Sequence, residues 1–198
     1  MSLFRKTDPR RGAAAVEFAL ILPMLLVLFV GTAEVMGYLR AAYRLERVAA
    51  EVANAGTQLD AVTAAELQGL FDAANLVAQP LRAWTTPGDA QFAPRARIFI
   101  SVVSGSPTGN RVAWTCARGD ADRSARIVVN PTTATLPNGF QVPPGQTVMV
   151  VEVVSTTRAW FLFQALFGTS GPPEIRTHAI MRPRQAQLSS LPPGACAA

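Results

Sequence analysis

The stretch Arg10-Arg11-Gly12-Ala13-Ala14-Ala15-Val16-Glu17-Phe18 opens an apolar run that reaches Ala33, and its reading decides the fold. Between Ala13 and Ala33, Glu17 is the one charged side chain. A helix over these positions rises about 1.5 Å per residue, roughly 31 Å in all, which matches the hydrocarbon core of a bilayer. The segment is therefore expected to span a membrane. A carboxylate inside such a span costs on the order of a few kcal/mol near its middle and less toward its ends. Glu17 sits near the basic end, within reach of the interface, and its place there asks for a reason. Arg5, Lys6, Arg10 and Arg11 precede the span, so the positive-inside rule puts the N-terminus in the cytoplasm and everything after Glu34 outside.

Basic residues, Gly12, four small or apolar residues, Glu17, the aromatic Phe18 and then Ala19-Leu-Ile-Leu-Pro23 together resemble the processing site and membrane helix of the tight-adherence (Tad, type IVc) pilus proteins. Gly31 through Glu34 to Tyr38-Leu39-Arg40, with the Ala-rich stretch from Leu45 to Ala53, is similar to the TadE-like branch, TadE or TadF. The resemblance covers the first quarter of the chain and the rest only in layout. It implies that a membrane-embedded aspartyl prepilin peptidase cuts after Gly12, making Ala13 the new N-terminus and Glu17 its fifth residue. Cutting there creates a buried ammonium at Ala13, which a carboxylate one turn away, on this subunit or a neighbour, can neutralise. The implied partners are the peptidase, the other minor pilins and the major pilin, an inner-membrane assembly platform and membrane lipid. The implied location is the inner membrane, single-pass with a periplasmic C-terminal domain, and then the pilus at the cell surface.

Residues 1–12 are read as a cytoplasmic leader and 13–33 as the transmembrane helix. The helix has no evident stop at Ala33. Arg40, Arg44, Arg47, Glu51 and Asn54 recur at spacings of four and three, while Val35, Leu39, Ala42, Ala49 and Val52 mark another face. Residues 34–56 are thus expected to continue it as an amphipathic helix, with Gly56-Thr57 as its C-terminal stop. Pro23 removes one backbone donor inside the span, either as a tolerated membrane proline or as a weak point that lets subunits repack.

Once leader and long helix are set aside, roughly 140 residues remain, enough for one small domain with its own core. That extracytoplasmic domain is placed at 57–184. Thr63-Ala-Ala-Glu66 is a capping box ahead of a second helix from Ala64 to Ala78, ended by Pro80. A Thr/Pro/Gly-rich loop through Pro87-Gly88 to Pro94 leads to a strand from Arg95 to Val103 with Ile98, Ile100 and Val102 on one face. A turn at Ser104 to Asn110 precedes a strand from Arg111 to Ala117 with Val112, Trp114 and Cys116 facing inward. Ala125 to Asn130 reads as a third strand. After a long loop from Pro131 to Gly145, Gln146 to Ser155 reads as a central strand buried on both faces, and Glu174 to Arg182 as the last. Arg158 to Phe167 is apolar almost all round and too short to span a bilayer, so a buried helix is favoured over one at the membrane surface or a docking patch. Residues 185–198 form a polar, Pro-rich tail expected to be mobile except near Cys196. The fold class is α+β: a long N-terminal helix, a second short helix and a small, mainly antiparallel, pilin-like sheet.

The formal net charge of +5 does not call for nucleic acid, because four of the basic residues lie in the leader and the other arginines are scattered without interleaved aromatics. Cys116 and Cys196 would lie in an oxidising compartment, where they either pair or remain two free thiols. Chemistry is sparse. His178 stands in a predicted strand with no acidic or cysteine neighbour in sequence and reads as a structural or surface histidine. Two distant cysteines and one histidine give no zinc spacing, and Asp120-Ala-Asp122 lacks the further acids of a calcium loop. No catalytic constellation, metal or cofactor is expected. Two alternatives stay open: a soluble protein released by signal peptidase after Gly31-Thr32-Ala33, and an uncleaved single-pass binding module.

Overall fold

The computed structural model describes residues 10–78, 96–156, 174–184 and 188–196. Pro80, the loop through Pro87 to Pro94 and the segment Arg158 to Phe167 lie outside them. Helix α1 runs Arg10–Gly56 and passes through Pro23 without a break. Helix α2 runs Ala64–Ala78, and four strands follow: β1 (Ala96–Ser106), β2 (Gly109–Gly119), β3 (Thr147–Thr156) and β4 (Glu174–Met181). All pairings are antiparallel, and the sheet order is β2-β1-β3-β4. This is the long helix, short helix and antiparallel sheet expected of an α+β, pilin-like fold.

The chain divides into two compact units. In the first, which holds α1 up to Tyr38, every side chain from Gly12 to Val30 is exposed. Leu20, Met24, Leu28 and Phe29 are among them, and so large a continuous apolar surface is not stable in water. Among the described residues, one helix, within Gly12–Gly56, is long and apolar enough to cross a membrane.

The second unit begins at Leu39 and contains the sheet. Here α1 buries Leu45, Val48, Ala49, Val52 and Ala53, positions three and four apart that form one stripe. The face expected from the sequence was drawn too far toward the N-terminus: Val35 and Leu39 are exposed, whereas Leu45 and Val48 are fully covered. Gly56 ends the helix for a different reason from the one its type suggests. It does not take up the left-handed conformation of a glycine cap; a Cβ there would collide with the Met149 side chain from the first half of β3. Close approach of helix to sheet is what requires glycine. The capping box of α2 forms as read: Glu66 N donates to Thr63 Oγ1 at 3.2 Å, and Thr63 N donates to Glu66 Oε2 at 2.8 Å.

All ten residues of β3 are buried because both faces of the sheet are covered. On one face, the Met149 and Leu70 side chains both lie against Gly56, and the Arg118 guanidinium lies over the Phe71 ring at 4.8 Å. On the other, Val103, Val148 and Val150 pack with Ile127, Val128, Ala134, Leu136 and Val142 from the segment between β2 and β3. That segment contains no third strand. Ala125 to Asn130 is a series of bends, because the N–H groups of Arg126 and Ile127 are taken by a side-chain carboxylate and not by a neighbouring strand. A second correction concerns β2. Its register against β1 shifts between Val102 and Val103, leaving Ala113 as the extra residue, so Val112 packs on the loop-covered face and Trp114 and Cys116 on the other. The alternation read from sequence had put all three on one side.

The tail from residue 188 is also docked where mobility was expected. Leu188 is 2% exposed, and its carbonyl accepts a 2.7 Å hydrogen bond from Trp114 Nε1. Cys196 is bonded to Cys116 with Cα atoms 5.3 Å apart, a separation within the usual disulfide range. A Pro-rich polar stretch gains order here through one buried leucine, one indole donor and one covalent link.

Candidate processing and assembly site

Gly12, Ala13, Glu17 and Phe18 fall within the first three turns of α1. Ala13 and Glu17 are four residues apart, so they lie one above the other on the same helical face. Phe18 is 59% exposed, and nothing lies within 4 Å of where a Cβ at Gly12 would sit. The helix therefore offers all sides of this turn to an incoming partner. The backbone of Gly12 is itself helical, so the leader boundary drawn at this residue is not a boundary of secondary structure. Downstream, Gly31-Thr32-Ala33 is also continuous helix, with Thr32 Oγ1 donating to the Leu28 carbonyl at 2.8 Å.

The second unit holds a cluster that sequence reasoning missed. Glu152, in the middle of β3 and 4% exposed, accepts hydrogen bonds of 3.0 Å from Arg126 N and 3.1 Å from Ile127 N, and lies 3.5 Å from Arg176 Nη1. Arg176 also pairs with Glu174, Glu174 with Arg123 at 3.0 Å, and Arg123 with Asp120 at 3.4 Å. Arg97 completes the cluster by donating to the carbonyls of Ala121 and Arg123, both at 2.8 Å. The signal was present: an acid inside Val148-Met-Val-Val-Glu-Val-Val154, a run already read as buried on both faces, has to find partners. Its chemistry is positional. It pins the segment after β2 onto the sheet, and the Asp120 carboxylate, occupied by Arg123 and by the N–H of Asp122, belongs to that task. Among the described residues, no group of three His, Cys, Asp or Glu side chains could hold a metal ion. His178 is exposed on the edge strand β4, opposite Glu152 in register.

Burial works against the Glu174 carboxylate, but hydrogen bonds from Arg176 and Arg123 outweigh it and hold its pKa below the ordinary 4.5. Since the unfolded chain binds the proton more readily, the stabilisation is fully present above about pH 4.5 and is lost as pH falls through the lower folded-state value. Thermal melts of the detergent-solubilised chain should show Glu174→Gln melting below wild type at neutral pH. The gap should close as the pH drops below 4.5. A gap that persists in acid would remove the carboxylate from the account.

Residues 12–54 match the family model described as TadE-like protein. This segment is TadE-like. The match begins at Gly12 and covers nearly all of α1. No curated protein and no solved structure matches the chain. The TadE-like segment together with the apolar N-terminal helix points to a minor pilin of a Tad pilus and to anchoring in a membrane. The family is a structural one, and its pilus context implies interaction with other pilus components.

Proposed function

We propose that this chain is a minor pilin or pseudopilin of a Tad-type pilus. A prepilin peptidase cuts after Gly12, residues 13–33 hold the chain in the inner membrane, and the domain of residues 57–184 faces the periplasm. The subunit then packs through its helix with other minor pilins and the major pilin to initiate or cap the filament. It acts as a structural component, not an enzyme. The observation that carries this reading is the coincidence of a TadE-like match starting at Gly12 with a helix turn that sets Glu17 beside Ala13 and leaves its surroundings open. A new ammonium at Ala13, in an apolar setting, is neutralised most effectively by a carboxylate at hydrogen-bond range. Packing helices side by side also covers the apolar surface that the isolated chain exposes.

Sequencing the N-terminus of the mature protein tests the proposal. Ala13 is expected. Glu34 would instead make the chain a secreted soluble protein, and Met1 or Ser2 an uncleaved anchor.

A further inference from the structure

Asn138-Gly139 is the one Asn-Gly pair in the chain, and helix-mediated assembly makes no use of it. Asparagine is chemically labile, and most so before glycine, whose lack of a side chain leaves the following backbone nitrogen unshielded. The pair lies in the segment between β2 and β3, within the short helical turn Pro137–Gly139. Asn138 stands at φ 57° and ψ 21°, a left-handed backbone that asparagine and glycine tolerate best, and Gly139 follows at φ 68°. Both residues are exposed, so water and base reach them. The Gly139 N–H, however, is occupied: it donates to the Leu136 carbonyl at 3.2 Å, and Phe140 N donates to the Pro137 carbonyl at 3.2 Å. The turn is also fastened on both sides. Leu136 and Val142 are buried in the core on the loop-covered face of the sheet. Asn110 of β2, itself buried, donates from Nδ2 to the Phe140 carbonyl and accepts from Val142 N, each at 2.8 Å.

We propose that Asn138 is a site of spontaneous deamidation whose rate this turn controls: slow while Leu136 and Asn110 hold it, fast once it opens. In the reaction the Gly139 nitrogen gives its proton to base and attacks Asn138 Cγ. The new N–C bond closes a five-membered succinimide, the Cγ–Nδ2 bond breaks and ammonia leaves. Water then opens the ring at either carbonyl and leaves aspartate or isoaspartate at 138. The turn opposes this at two points. A proton shared with the Leu136 carbonyl is harder to remove, and ring closure needs a rotation about ψ of Asn138 that the fastened turn does not allow. Reaction therefore proceeds through local opening of the segment. Isoaspartate lengthens the main chain by one methylene between Leu136 and the atoms that Asn110 clamps, so a modified chain closes less well and keeps a record of having opened.

The detergent-solubilised full chain is kept in mildly alkaline buffer with and without guanidinium chloride, and conversion at Asn138 is followed by mass spectrometry of its proteolytic peptides, isoaspartate being identified by fragmentation. The folded chain should react about tenfold more slowly than the denatured one, or slower still. Asn110→Ala removes both side-chain ties from a distant strand, so it should speed the folded reaction several-fold and leave the denatured rate unchanged. Gly139→Ala should slow the denatured reaction, since a Cβ shields the attacking nitrogen. Equal wild-type rates with and without denaturant would overturn the control by the turn, and that comparison stands even if Asn110→Ala does not fold. A folded Asn110→Ala chain reacting no faster than wild type would overturn the role of the clamp. Absence of conversion at Asn138 in denaturant would overturn the site itself.

Discussion

Replacing Glu17 by alanine is expected to leave the chain inserted and folded while cutting its incorporation into pili by more than tenfold. Removing an acid from the apolar run makes insertion easier, by up to a few kcal/mol at mid-bilayer and less at this end of the helix. The head is untouched, because Glu17 belongs to the unit that does not contain the sheet. What is lost is the partner of the ammonium at Ala13. Leaving one member of a desolvated ion pair alone costs about 3–5 kcal/mol, enough to lower an assembly equilibrium by a factor of a hundred or more. Membrane fractionation and immunodetection of the variant in sheared pili measure the two halves of this expectation. Glu17→Gln should fail like alanine, since an amide supplies no charge, and Glu17→Asp should recover part of the function. Unchanged piliation in the alanine variant would remove the carboxylate from assembly.

Glu152→Ala should produce the largest loss of stability among single changes in the head. The carboxylate satisfies two backbone N–H groups and faces Arg176. Alanine leaves both donors without that acceptor, the Ile127 N–H in a buried position, and opens a space in the strand that lies between β1 and β4. Breaking a buried charged cluster costs about 3–5 kcal/mol, equivalent to a drop in melting temperature on the order of 10 °C for a domain of this size. The melt of the solubilised full chain, followed by circular dichroism, reports it. Glu152→Gln retains one acceptor and should fall between alanine and wild type. If alanine melts within a degree or two of wild type, the segment after β2 is held by Ile127, Val128 and Leu136 alone. Hydrogen exchange at Arg126 and Ile127 separates the cases, because only loss of the carboxylate anchor speeds exchange there first.

Much of this architecture is legible along the chain because it depends on neighbours. The capping box at Thr63 and Glu66 needs only three residues, and α2 follows it at the bounds that periodicity predicts. The apolar run after Gly12 specifies a long helix by composition alone, and the all-apolar pattern of β3 announces a strand covered on both faces. The candidate site is equally local: Gly12, Ala13, Glu17 and Phe18 are consecutive or one turn apart, so any helix brings them together. Val112 and the segment from Ala125 to Asn130 were misread because their placement depends on distant partners. The bulge at Ala113 is a property of pairing with β1, and a segment that looks like a strand becomes a series of bends when Glu152, 26 residues away from Arg126, takes its donors.

By itself, then, the sequence determined the two helices, the four strands of the sheet, the membrane-competent stretch and the neighbouring residues on which processing and assembly are proposed to depend, since each follows from side-chain character repeating over a few residues. Tertiary structure alone decided which stripe of α1 meets the sheet, why Gly56 must lack a side chain, how Glu152 is satisfied, and that the tail docks through Leu188 and Cys196 onto β2. Those outcomes rest on contacts between residues as far as 80 positions apart, as in Cys116 and Cys196. Such contacts are chosen by the shape and hydrogen-bonding needs of the surface already formed, and no local pattern encodes them.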